Sequence, residues 1–162
     1  WSPLAMRFLQ KAIGTMLRPA AERGARGKRL PELATMLEDA WPAIESHLTG
    51  KPDTAMNREA IAHAVGIERW AQSRLRVGLG EPFRQDGYHG YRPSLEDGVN
   101  ALAAAMKQTR IDTVALVHEL DAKGIDPTIT VPHNDLGDMT LGAWIVYLKQ
   151  HASRELPLRV RG

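Results

Sequence analysis

Four stretches of helical apolar period, separated by breaks rich in Gly and Pro, constrain this chain more than any other feature. In the first, Leu30, Leu33, Leu37, Trp41, Ile44 and Leu48 recur every three or four residues, which puts them on one face of a helix. Pro31 suits its first turn and Gly50 stops it. Pro42 lies inside and is expected to kink or split it. The second runs from about Thr54 to Leu79, capped by Thr54 or Asn57, with Ala60, Ala64, Ile67, Ala71 and Leu75 along one face. The third is the longest, from Ser94 as N-cap to Lys123, with Leu95, Val99, Leu102, Met106, Val114, Val117 and Leu120 in period and Gly124 as its end. The fourth runs from Thr140 to Leu156 on the stripe of Leu141, Trp144 and Leu148, and Pro157 limits its extension.

Four such helices, each with one apolar stripe, predict an all-α four-helix bundle. Residues 80–93 form a long loop carrying Phe83, Tyr88, His89 and Tyr91, and loops of this kind often cover a site. Residues 125–138 are expected to be extended, because Pro127 and Pro132 forbid helix. An additional amphipathic N-terminal helix is read over residues 3–18, followed by a basic linker, RPAAERGARGK. The expected division is therefore residues 1–28 as helix plus linker and residues 29–162 as the bundle.

Composition narrows the function classes. Cysteine is absent, which excludes disulfides and thiolate metal sites and fits a cytoplasmic location. No run reaches the roughly 20 apolar residues of a membrane span, and no cleavage-site pattern of a signal peptide is read. Seven basic residues and one acid lie between Arg7 and Arg29, while the net charge is only +2. We read that segment as solvated surface, with nucleic acid an unlikely partner. There is no phosphate-binding glycine loop and no nucleophile elbow.

His151 and Glu155 continue the buried stripe of the fourth helix, four residues apart. A buried face rejects a carboxylate unless its charge is compensated. A divalent metal, an arginine, or a helix end open to water are the three alternatives. Bundles build metal sites from inward side chains on facing helices, and His63, beside Ala60, Ile67 and Trp70 on the second helix, supplies a third candidate ligand. Two nitrogens and one carboxylate suit zinc, nickel, iron or manganese. His133 is expected to brace backbone, His118 to lie at the bundle edge, His47 near a helix C-terminus, and His89 on the loop surface or the rim of the site. Trp70 and Tyr147 are expected to fill core.

The segments NREAIAHAVGIERWAQSRL and TVPHNDLGDMTLGAWIVYLKQHASREL resemble the second and fourth helices of the DinB/YfiT-like metal-binding proteins, over about Leu30 to Arg159. In that family a histidine of the second helix and a His-x-x-x-His pair of the fourth hold a metal. The resemblance places His63 and His151 at two ligand positions and Glu155 at the third, where histidine is commonest. Related mycothiol-dependent maleylpyruvate isomerases use a carboxylate in the triad. The resemblance implies a divalent metal cofactor, zinc or nickel first, and either metal-dependent hydrolysis or transfer of a low-molecular-weight thiol to a small molecule. It also implies a homodimer. The alternative is a non-catalytic binding or assembly module with a degenerate metal site. No separate general base is evident, and no catalytic residue is assigned.

Overall fold

The computed structural model describes residues 16–162, so the helix read over residues 3–18 lies mostly outside the described residues. The fold is mostly helical: α1 (16–25), α2 (Leu30–Leu48), α3 (Ala55–Val77), a 3₁₀ turn (Tyr88–Tyr91), α4 (Val99–Ala122), a hairpin of β1 (Thr130–His133) and β2 (Gly137–Thr140), and α5 (Leu141–Arg159). Helix α2 packs on α4 and α5, and α3 packs on the same two helices. Among the described residues no helix is long and apolar enough to cross a membrane.

The apolar stripes fill two clusters stacked along the helices. One gathers Leu33, Leu37, Trp70, Leu75, Leu120, Trp144 and Leu148, with Val131 and Met139 of the hairpin. The other gathers Ile44, Leu48, Ile61, Val65, Leu102, Met106 and Leu156. His63 and His151 lie where the two clusters meet, beside Ala64 and Ala152 of one and Ile67 and Leu148 of the other.

Several local expectations change. Residues 18–25, read as linker, are helical, and Ala21 is fully buried. The glycine that suggested a linker instead allows a close crossing, since a Cβ on Gly24 would lie 2.9 Å from Val146 Cγ1 of α5. Glu22 of α1 then accepts from Thr140 N–H (3.0 Å) and Thr140 Oγ1 (2.9 Å), while Thr140 Oγ1 accepts from Ala143 N–H (3.0 Å). This caps α5 and sets a negative charge at its positive end.

Pro42 does not split α2, which is continuous from Leu30 to Leu48. Pro157 likewise lies within α5, which continues to Arg159. The missing N–H at Pro157 leaves the Ser153 carbonyl without its helical donor, and Ser153 is exposed to water. Helix α4 starts at Val99 rather than at Ser94, which closes a local turn by accepting from Glu96 N–H (3.2 Å). The cap comes from elsewhere: Asp53 Oδ1 accepts from Val99 N–H (3.2 Å). The extended stretch is a two-stranded antiparallel hairpin, with Val131 opposite Met139 and His133 opposite Gly137.

Candidate functional site

Helices α3 and α5 bring His63 and His151 together, with ring centroids 5.3 Å apart and planes tilted by 43°. The pair sits between the two apolar clusters, with Ala64 and Ala152 on one side and Ile67 and Leu148 on the other. Tyr88, from the 3₁₀ turn, packs its ring edge-on against His63 at 4.9 Å. Gly66 permits this. It lies one turn along α3 from His63, and a Cβ there would stand 2.5 Å from Arg92 Cγ and 3.2 Å from the Tyr88 carbonyl oxygen. The aromatic loop thus lies against His63.

Both rings are neutral at physiological pH. Burial, then the positive charges of Arg159 and Arg92, push the His63 pKa down to about 4. Burial, then the neighbouring His63 and the charge of Arg154, push His151 down to about 3. A neutral imidazole offers a lone pair, the form in which histidine binds metal. Spacing agrees as well. With metal–nitrogen distances near 2.0–2.1 Å and about 1.1 Å more to the ring centre, two imidazoles at a tetrahedral angle have centroids roughly 5.2 Å apart, close to the separation observed here.

Glu155 does not complete a triad as placed. It shares α5 with His151, half-buried, and its carboxylate lies 3.5 Å from Arg154 Nε and 3.8 Å from an Arg159 guanidinium nitrogen. Among the described residues no three His, Cys, Asp or Glu side chains are grouped to hold a metal ion. On the α3 side, Glu59 pairs with Arg92 at 2.6 Å. The histidine pair is thus flanked by two Arg–Glu partnerships. The donor set fits a divalent metal through two nitrogens, with further positions left to solvent or to Glu155 if it leaves its arginines.

Behind the pair lies an aromatic box. His133 stacks on Trp144 (5.0 Å) and meets Trp70 (5.1 Å) and Tyr147 (5.2 Å) edge-on. Its Nδ1 accepts from the backbone N–H groups of Asp135 (3.1 Å) and Leu136 (3.2 Å), which fixes the hairpin turn. The proton therefore sits on Nε2, which is buried without a partner. This bracing matches the sequence reading and removes His133 as a ligand, because the nitrogen facing away from the turn already carries hydrogen. Burial lowers its pKa to about 4. Burial also raises the Tyr147 phenol above its usual value, so Tyr147 stays neutral. Trp70 and Tyr147 are core, as expected. His118 is exposed, and His47 Nε2 lies 3.1 Å from the Val160 carbonyl oxygen.

Two polar centres escaped sequence reading. Glu68 and Arg110, both buried, join α3 to α4 through a bidentate pair (2.7 and 3.0 Å), with Thr113 Oγ1 donating to the same carboxylate (2.9 Å). The available signal was register: Glu68 follows Ala64 by four and Arg110 follows Met106 by four on the inward stripes. The second centre is Asp86, which accepts from Tyr91 Oη (2.7 Å), a buried Arg74 guanidinium nitrogen (3.1 Å) and Trp70 Nε1 (3.2 Å), pinning the aromatic loop to α3. Burial alone would raise its carboxyl pKa, but the hydrogen bonds from Tyr91 and Arg74 outweigh that and hold it below the usual carboxylate range. Compared with protein-family models, curated proteins and solved structures, the chain gives no match.

Proposed function

We propose that this protein is a divalent-metal-dependent enzyme with a DinB/YfiT-like four-helix bundle, acting on a small molecule as a hydrolase or a low-molecular-weight-thiol transferase. The observation that carries the reading is the His63–His151 pair, with rings 5.3 Å apart and both held neutral. His63 and His151 would hold the metal, with Glu155 as third ligand once released from Arg154 and Arg159. Such a metal, zinc or nickel first, would supply Lewis acidity to lower the pKa of water or a thiol toward neutrality. The chain's own residues provide the enclosure: Tyr88 shields His63, and Arg92 and Arg159 favour an anionic nucleophile or substrate beside the rings. A homodimer belongs to the same reading on the resemblance alone, and a cytoplasmic location on the absence of cysteine.

One observation favours a second reading, a non-catalytic binding module. The Glu155 carboxylate is already compensated by two arginines and has no need of a metal. Metal content separates the two. Protein purified without chelators is expected to carry about one equivalent of metal by mass spectrometry, lost in His63→Ala and in His151→Ala with helicity unchanged. No metal in the wild type, and none taken up when zinc, nickel, iron and manganese are offered, refutes the enzyme reading.

A further inference from the structure

A groove of ≈ 360 Å³ lies on the other side of the aromatic loop, between α3, that loop and α4. Its volume falls at the lower end of small-molecule sites. Three arginines line it, Arg69, Arg76 and Arg84, against two acids, Glu81 and Asp112. The lining keeps a net charge of +1: Arg76 and Glu81 pair loosely at 3.9 Å, and Asp112, accepting from the neutral Gln108 amide (2.9 Å), keeps its negative charge. Two of the polar walls are held in place from α4. Arg69 Nε donates to Thr109 Oγ1 (3.2 Å), which leaves the outer guanidinium nitrogens for a ligand. Gln72 is fixed by its bonds to the Thr109 carbonyl (3.1 Å) and Thr113 Oγ1 (3.0 Å). The Arg84 guanidinium takes no hydrogen bond or ion pair among the described residues; only its carbonyl is engaged, by Arg74. The Tyr91 ring forms an apolar wall, its hydroxyl anchored on Asp86.

We propose that this groove binds a small organic phosphate monoester, its oxyanion held by Arg69, Arg76 and Arg84 and its apolar body against Tyr91. Guanidinium forks match phosphate oxygens in pairs, and a side chain already oriented loses less freedom on binding. The site is separate from His63 and His151, so it stands or falls independently of the metal.

The test is calorimetric titration of chelator-treated protein with phenyl phosphate at low ionic strength, with phenol as the control, and with amide shifts mapped by NMR. Saturable binding is expected near about 1 mM, a normal affinity for a ligand of this size, with shifts centred on Arg69, Gln72 and Tyr91. The Arg76→Gln/Arg84→Gln variant changes only side chains that project from the groove wall. It is expected to keep its melting temperature and to lose at least about tenfold in affinity. Absence of saturation by roughly ten times that concentration, unchanged affinity in the double variant, or phenol binding as tightly as its phosphate would each overturn the proposal.

Discussion

Replacing Arg110 by methionine tests the buried level of the fold directly. The Glu68 carboxylate has a side chain 2% exposed, against 3% for Arg110, and it takes two of its three hydrogen bonds from that guanidinium. Removing one partner of such a pair typically costs about 3–5 kcal/mol. The expected loss for Arg110→Met is therefore about 4 kcal/mol at pH 7, roughly 8–16 °C in melting temperature for a chain of this length. Replacing both partners, Glu68→Leu with Arg110→Met, removes the buried charge altogether and should recover most of the loss. Urea unfolding followed by tryptophan fluorescence at pH 7 measures all four corners of the cycle. A loss below about 1 kcal/mol for the single variant at pH 7, or a double variant as unstable as the single, would show that the pair is not a desolvated one and refute the argument.

Acid should weaken the fold through its buried histidines. The His133 and His151 pKa values are depressed to about 4 and about 3, so above the unfolded value near 6.5 their contribution is complete, and it is lost as the pH falls toward the folded values. By pH 5 the loss should be about 2 kcal/mol for each and less for the half-buried His63. A flat stability profile between pH 7 and pH 5 would contradict buried, neutral rings. Gly66→Ala forces a Cβ to within 2.5 Å of Arg92 Cγ; it should cost about 1–3 kcal/mol and lift Tyr88 off His63, read as a changed His63 ring signal in NMR. Asn57, buried, donates to the carbonyls of Pro52 and Arg161 and accepts from Arg161 N–H, each at 2.9 Å. Asn57→Ala should lose roughly 1–3 kcal/mol and speed amide exchange at the C-terminal end, whereas unchanged exchange at Arg161 would show that this tie holds nothing.

The helices were legible because each carries a strong local signal. The apolar period of Leu30–Leu48 and the Thr54 cap before Asn57 survive in the structure almost residue for residue. The failures share a cause: the deciding partner is distant in sequence. Gly24 reads as linker until Val146 is found against it, and the cap of α4 is Asp53, more than forty residues away. The candidate site follows the same rule. His63 and His151 were readable as inward residues, and their meeting follows once α3 packs on α5. The sequence also posed a sharper question, what compensates a carboxylate on a buried stripe, and left metal, arginine and solvent open. At Glu68, the more deeply buried of the two, the compensator is one arginine held bidentately with a threonine beside it. At Glu155 it is two arginines at 3.5 and 3.8 Å, too far for good hydrogen bonds. That difference has a chemical consequence. The Glu68 carboxylate cannot leave its arginine without stranding a buried charge, whereas Glu155, half-exposed and loosely paired, can exchange partners at little cost. Of the two stripe carboxylates, only Glu155 is therefore free enough to serve as the third ligand that the proposed metal site requires.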